Sequence, residues 1–529
     1  MAEPYYITTA IAYPNGRPHI GHAYEAVAAD AIARFQRMQG RDVRFVTGTD
    51  EHGLKMVKTA REQGVEVQAL CDEMSGYFKD MCDKLNISYD RFIRTTEPAH
   101  HAASVAIWEA MKAKGDLYLG RYEGWYSIRD EAFYEEKELS EGEGGVKLSP
   151  QGTPVEWTVE ESWFFKLSNY AQPLLDHYAE FPDFIRPESR RNEVLKFVEG
   201  GLRDLSVSRT SFDWGVKVPG SPDHVMYVWV DALTAYMSAL GYPDKTGDWD
   251  RYWPADLHLI GKDIVRFHTV YWPAFLMSAG LPLPKQVFGH GFLLARGGEK
   301  MSKSLGNVVD PLELADRFGV DALRYFFLRE VSFGQDGSYS AEAIVLQVNA
   351  ELANGFGNLA QRVLSMIAKN LGGELPDLSN PDKSMAIDKH LRGFVSESCG
   401  EEFFIGSFEE LAISEAIKAW LGSVGECNRY VDSQAPWTLN KDPINHERRD
   451  VVLGTLFQCI RDLAIAIQPI VPTSAGNLLG QLGIPDDERT FAALASQNWY
   501  EKLRTSGYRV APPTPIFPRL ELPVEELAP

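Results

Sequence analysis

Cysteine is scarce: Cys71, Cys82, Cys399, Cys427 and Cys459 are the five in 529 residues, and no two stand in a CxxC spacing. That argues against a disulfide framework and against a thiolate zinc site. Long apolar runs are missing too. The longest, Leu463 to Val471, is broken by Gln468 and Pro469, well short of the ~20 residues of a membrane span. There is no internal repeat. Basic residues are outnumbered, 53 Lys and Arg against 74 Asp and Glu, for a formal net charge of −21. Such a surface disfavours nucleic acid as a generic ligand, yet leaves room for one specific RNA on a locally basic face. Glu3 and Pro4 lead straight into the strand-like Tyr5 to Ile11, so no cleavable leader is expected and the expected compartment is the cytosol. What remains is an ordinary soluble composition, 44% hydrophobic and 24% charged, in a chain long enough for several domains.

The chain is organised around Glu299 to Asn307, EKMSKSLGN. Lys300 and Lys303, three apart among Met301, Ser302 and Ser304 and flanked by Gly297, Gly298 and Gly306, make a cationic loop. Lysine charges, serine hydroxyls and backbone N–H groups together suit a polyphosphate that must be gripped and released. A solvated surface loop has the same composition, so the weight falls on a partner motif near the N-terminus.

Taken in order, Tyr5 to Ile11 reads as a buried strand, broken by Pro14, Asn15, Gly16 and Pro18. Helical spacing runs from His22 to Phe35, with Gly40 where a C-terminal cap belongs, and a second strand spans Val43 to Thr47. Strand, loop, helix and strand predict a parallel α/β sheet with ligands at the strands' carboxyl ends. His19-Ile20-Gly21-His22 puts two imidazoles near the positive end of a helix, where they suit a phosphate, and Gly21 would admit close approach. The same pair would also serve as a helix cap. Gly48-Thr49-Asp50-Glu51-His52-Gly53 follows the second strand, and Asp50 suits either a substrate ammonium or a cap. From Tyr118 aromatics alternate, and Glu135 to Gly145 is charged and Gly-rich, as in an inserted, partly β domain that residues 200–219 would close. The sheet pattern resumes at Val225 to Val230, recurs at Leu257 to Ile260 before Gly261-Lys262-Asp263, and ends near Gln286 to Phe288 before Gly289-His290-Gly291-Phe292. Trp229, Ala232, Leu233 and Tyr236 would line an apolar pocket or pack a core. Beyond Tyr339 the spacing is helical, at 346–369, 389–404, 408–420, 449–467 and 474–482, which predicts a bundle, with 512–529 as a tail wrapped back over it.

HIGH at His19 to His22 paired with KMSKS at Lys300 to Ser304 resembles the signature of class I aminoacyl-tRNA synthetases. Ala12 to Gly16, Gly48 to Gly53, Tyr227-Val228-Trp229 with Asp231-Ala232, and Gly261 to Ile264 narrow the resemblance to the methionyl-tRNA synthetases. Glu351 to Gly355 with Gly357-Asn358-Leu359, and Ala435-Pro436-Trp437, extend it from Tyr6 to about Leu482. It implies an α/β class: a Rossmann-like parallel-sheet catalytic domain split by an inserted connective domain, then an α-helical anticodon-binding bundle. The expected limits are 1–116 and 223–292 for the two catalytic halves, 117–222 for the insert and 293–345 for the KMSKS loop and stem-contact region. The bundle would take 346–511 and the tail 512–529.

The resemblance also implies roles. Ala10, Ile11, Tyr13, Trp229, Ala232, Leu233, Tyr236, Ile264 and His268 would surround methionine, with Asp50 on its ammonium. His19, His22, Lys300 and Lys303 would be catalytic, stabilising charge around the ATP phosphates with Gly21, Met301, Ser302 and Ser304. Gly261, Asp263, His290, Gly291 and Phe292 would form the adenosine subsite. Asn358, Arg362 and Trp437 would read the anticodon of tRNA(Met), initiator tRNA included. The reaction implied is methionine activation by ATP and Mg²⁺ to methionyl-adenylate and pyrophosphate, then transfer to the 3′-terminal adenosine. Many relatives bind zinc through cysteines in the insert. Here Ser127 and its neighbours occupy that knuckle, so a zinc-free insert is expected. The chain stops after the bundle, and a monomer away from membranes is expected. The rivals are a cysteinyl, leucyl, valyl or isoleucyl enzyme, which the lack of a large editing domain and the Trp/Tyr pocket oppose, a nucleotidyltransferase unrelated to tRNA, which the bundle opposes, and a non-catalytic RNA-binding relative, which the intact HIGH and KMSKS motifs oppose.

Overall fold

The computed structural model describes residues 2–128, 132–244, 247–294, 309–496 and 498–522. Its centre is a six-stranded parallel sheet of β1 (Pro4–Thr9), β2 (Asp42–Thr49), β3 (Arg91–Arg94), β4 (Ile185–Arg186), β5 (Leu257–Gly261) and β6 (Val287–His290). The spatial order is β3-β2-β1-β5-β6-β4. Aromatic and β-branched residues form strands here because both faces are packed: in β1, Tyr5 and Ile7 enter one core and Tyr6 the other. The winding reverses between β1 and β5, which opens a crevice at their carboxyl ends. Edge strand β4 comes from within the stretch expected to be the insert. Its two residues are too few to carry a pattern.

Helix α1 (Ile20–Met38) follows β1. Six alanines, including Ala26 and Ala29, let it bury almost every side between the sheet and α4. Helices α2 (Pro98–Lys114), α3 (Val228–Ser238) and α4 (Val320–Glu330) belong to the part around the sheet, as do Val67–Lys84 and Trp272–Ala279. The insert's strands Leu117–Ser127, Ala132–Tyr134, Glu156–Phe165 and Leu205–Ser206 form a separate antiparallel sheet. The strand expected over Val225 to Val230 is corrected. Ser221–Met226 is a strand, but of a small antiparallel sheet, and Val228 already begins α3. Residues 228–238 are buried nearly all round, so neither periodicity shows in their sequence.

The C-terminal helices are α5 (Asn358–Asn370), α6 (Ile413–Gln434), α7 (His446–Ile467) and α8 (Pro472–Gln481), with Ala386–Cys399 packed on α6 and α7. The regular helix expected over 346–369 contains widened π turns at Val348–Gly357. Glycine permits them: a Cβ on Gly357 would stand 3.1 Å from the Leu352 carbonyl oxygen. One core joins sheet to bundle, where Phe35 of α1 stacks on Phe408 with centroids 4.6 Å apart. At the same joint Arg324 of α4 is fully buried, pairs with Asp30 of α1 at 2.6 Å, and donates to the carbonyls of Leu85, Pro469 and Ile470. The tail returns over α5: Leu520 exchanges two backbone hydrogen bonds with the Asn349 amide, and Phe517 covers Gly357.

Candidate active site

A cavity of about 500 Å³ lies at the switch point, where β1, β2, β5, β6 and the start of α1 converge. Ala10, Ile11, Tyr13, Asp50, Trp229, Ala232, Leu233, Tyr236, Ile264 and His268 line it, as do His19, Gly21, His22, Gly261, Asp263, His290, Gly291 and Phe292. Lys300, Met301, Ser302, Lys303 and Ser304 lie outside the described residues. Tyr24, Glu25, Lys55, Tyr134, Gln151 and Phe267 also line the cavity, and sequence reasoning missed them. Glu25 was discoverable, one turn beyond His22 on the same helix. Tyr134 and Gln151 reach in from the insert and carry no local signal.

At the donor end His19 is the N-cap of α1. Its Nδ1 accepts from the Gly21 N–H, and His22 Nδ1 accepts from the His19 N–H, both at 3.1 Å. With both Nδ1 atoms accepting, each neutral ring carries its proton on Nε2. The rings stack at 3.8 Å. The capping reading is therefore realised, and the same geometry suits the phosphate reading: Nδ1 starts the helix, and Nε2–H is a donor beside its positive end. A Cβ on Gly21 would meet His19 Cε1 at 2.9 Å, so this glycine makes room for the imidazole itself. His290 Nε2–H donates to Glu25 at 2.8 Å and Nδ1–H to the Gly291 carbonyl at 2.8 Å. Burial pushes this imidazole's pKa down, but Glu25 outweighs it and the net shift is upward. Gly291 cannot be replaced, because its Cβ would fall 2.0 Å from the Gln335 carbonyl oxygen.

The apolar end is walled by Trp229, stacked flat on Phe267 at 3.8 Å. His268 Nδ1–H donates to the Ile264 carbonyl at 3.0 Å, so its Nε2 accepts from the Tyr236 hydroxyl at 2.7 Å. Burial drops the His268 pKa to about 4, with the Ile264 bond opposing it. The folded protein thus excludes a proton that the unfolded chain binds below pH ~6.5. Stability is expected to fall as pH drops from there towards 4. His268→Gln should flatten that limb by one proton, read from urea midpoints across the window.

Asp50 is held by its neighbours. The buried Glu51 carboxylate accepts from Arg94 Nε at 2.7 Å, Thr49 at 2.8 Å, Thr96 at 2.6 Å and also Ser75. In the bundle Arg362 lies 5.0 Å from the Trp437 ring centre and bonds Asp432 at 2.9 Å. Trp437 is 42% exposed, and Asn358 is exposed one turn before Arg362 on α5. Ser127, at the position of the knuckle, shares a hydrogen bond with Thr153, and Thr153 with Ser149, all three buried. Among the described residues no group of three or more His, Cys, Asp or Glu could hold a metal, and no helix is long and apolar enough to cross a membrane.

Comparison with known proteins gives the family. The family model described as tRNA synthetases class I (M) matches residues 5–364. The methionine–tRNA ligase of Rhizobium meliloti strain 1021 is 56% identical over 527 residues, covering 98% of this chain and 99% of that protein. That of Mycobacterium bovis is 54% identical over 525 residues, covering 98% and 99%. Mycobacterium tuberculosis methionyl-tRNA synthetase in complex with methionyl-adenylate superposes with a TM-score of 0.92 at 52% identity, covering 98% and 100%. Its apo form gives 0.87 at 50% identity, covering 99% of each chain. The chain belongs to the class I aminoacyl-tRNA synthetases, within the methionine–tRNA ligase family.

Proposed function

We propose that the protein joins L-methionine to tRNA(Met), initiator tRNA included, in two steps within the switch-point cavity. The observation that carries this reading is the convergence of an apolar, aromatic-walled end, a carboxylate at Asp50 and a donor-lined end in one cavity. Methionine's unbranched thioether suits aromatic and aliphatic walls, and Asp50 suits its ammonium. The methionine carboxylate oxygen attacks the α-phosphorus of ATP in line; the bond to the bridging oxygen breaks, and pyrophosphate leaves. Two anions meet, so the work of His19, His22 and the lysines of the KMSKS stretch is to stabilise charge as it shifts. Mg²⁺ belongs with the triphosphate as part of that substrate. A ribose hydroxyl of the terminal tRNA adenosine then attacks the adenylate carbonyl, and AMP leaves. The domain limits expected from the sequence, a cytoplasmic setting and a monomer complete the proposal. A solution mass of twice 59.3 kDa would overturn the last.

Amino-acid-dependent exchange of pyrophosphate into ATP tests the first step. Methionine should dominate; a preference for leucine or valine would refute the reading. For the bundle, an unstacked base suits a tryptophan face and a guanidinium, each stacked base being worth about 1–3 kcal/mol. Trp437→Ala should cut charging of tRNA about 10- to 100-fold at limiting tRNA and leave pyrophosphate exchange intact. Unchanged charging by Trp437→Ala, Asn358→Ala and Arg362→Ala alike would remove the anticodon role.

A further inference from the structure

Helix α3 has two working faces. Trp229, Ala232, Leu233 and Tyr236 face the cavity. Asp231 and Ser238, seven residues apart, turn towards α2, which packs along α3. Asp231 is fully buried and is not part of the cavity lining. Its Oδ1 accepts from His100 Nε2–H of α2 at 2.6 Å, and its Oδ2 from His52 Nδ1–H at 2.5 Å. His100 Nδ1 meets the Ser238 hydroxyl at 2.9 Å, returning to α3. His52 stands two residues after Asp50, buried, edge-on to Trp214 and His101.

One carboxylate therefore ties three separate pieces of chain: the loop that carries Asp50, helix α2, and the helix that forms the apolar wall. Burial alone would raise the Asp231 pKa, but the charge of His52 and the bonds from both imidazoles outweigh it and hold the carboxyl well below its ordinary range. An ionised carboxylate only accepts, so both rings must present N–H to it. Glu51 anchors the same loop on its other side, but to Arg94, Thr96 and Ser75, none of which belongs to α3. A side-chain bond from the loop to α3 runs through His52.

We propose that Asp231 is a positioning residue for methionine, setting the span between the Asp50 carboxylate and the wall of Trp229 and Tyr236 through His52 and His100. It touches no substrate atom. A small change in that span would strain the grip on the ammonium and the thioether at once, and misplacements near 1 Å cost up to about 100-fold. The inference rests on Asp50 and α3 gripping methionine, as proposed above.

The test uses the full chain and steady-state pyrophosphate exchange. Asp231→Asn keeps size but not charge, and is expected to raise the methionine KM about tenfold or more. The ATP KM should stay within about twofold and kcat within about threefold, which general loosening would not produce. His52→Asn and His100→Gln keep a donor near Nδ1 and Nε2 respectively, and should stay close to wild type. His52→Leu and His100→Leu should reproduce the methionine KM rise, and they carry the test if Asp231→Asn fails to fold. An unchanged methionine KM in a folded Asp231→Asn would overturn the proposal. So would methionine and ATP KM values rising together with a lowered melting temperature. If Asp50→Asn itself leaves methionine KM unchanged, the reading of the pocket fails instead, and this inference with it.

Discussion

Arg324→Ala is expected to destabilise the protein by about 3–5 kcal/mol, the cost of breaking a buried ion pair from one side. The guanidinium is fully buried, and its donors serve Asp30 at 2.6 Å, Pro469 and Ile470 at 3.0 Å, and Leu85 at 3.2 Å. Alanine leaves three buried carbonyls without those donors. It also strips Asp30 of a charge that, with Arg34 and Ser88, holds its carboxyl below the ordinary range against burial. The midpoint of urea unfolding measures the effect. Arg324→Lys should recover less than half, because an ammonium restores the charge but not the planar fork that reaches four acceptors. Full recovery by lysine would mean that charge alone matters at the joint.

Asp50→Asn is expected to lower kcat/KM for methionine about 10²- to 10³-fold, the scale for removing one side of a desolvated charge pair. Asp50 is 7% exposed, so water cannot replace it well. The decisive control is 4-(methylthio)butanoate, methionine without its amino group. If Asp50 acts on the ammonium, wild type and Asp50→Asn should use this poor substrate about equally. A loss of equal size with both substrates would move Asp50 from recognition to general support of the site.

Much of the site was legible because its residues are oddities in their setting. Polar and glycine-rich runs at the carboxyl ends of strands, Gly48 to Gly53 and Gly261 to Asp263, stand out from the apolar residues before them, and Asp50, Gly261 and Asp263 line the cavity. Helix α3 was misread at its start because a fully buried helix and a buried strand use the same residues. The partnership of Asp231 with His52 and His100 was invisible for another reason: its members are separated by 179 and 131 positions, and no local pattern records such a meeting. The π turns before α5 were hidden because they widen the winding over Val348–Gly357 alone, too short a stretch for the steps between apolar residues to differ visibly from those of a regular helix. The KMSKS stretch, legible as a motif, lies outside the described residues.

The imidazoles of His19 and His22 have a consequence for anyone who alters them. Each Nδ1 holds down a backbone N–H at the first turn of α1. An alanine scan of this motif therefore reports two losses summed into one number, a frayed helix end and a missing Nε2–H donor. Asparagine at residue 19 retains a cap while lacking the imidazole, and would let enzymologists divide that number into its parts.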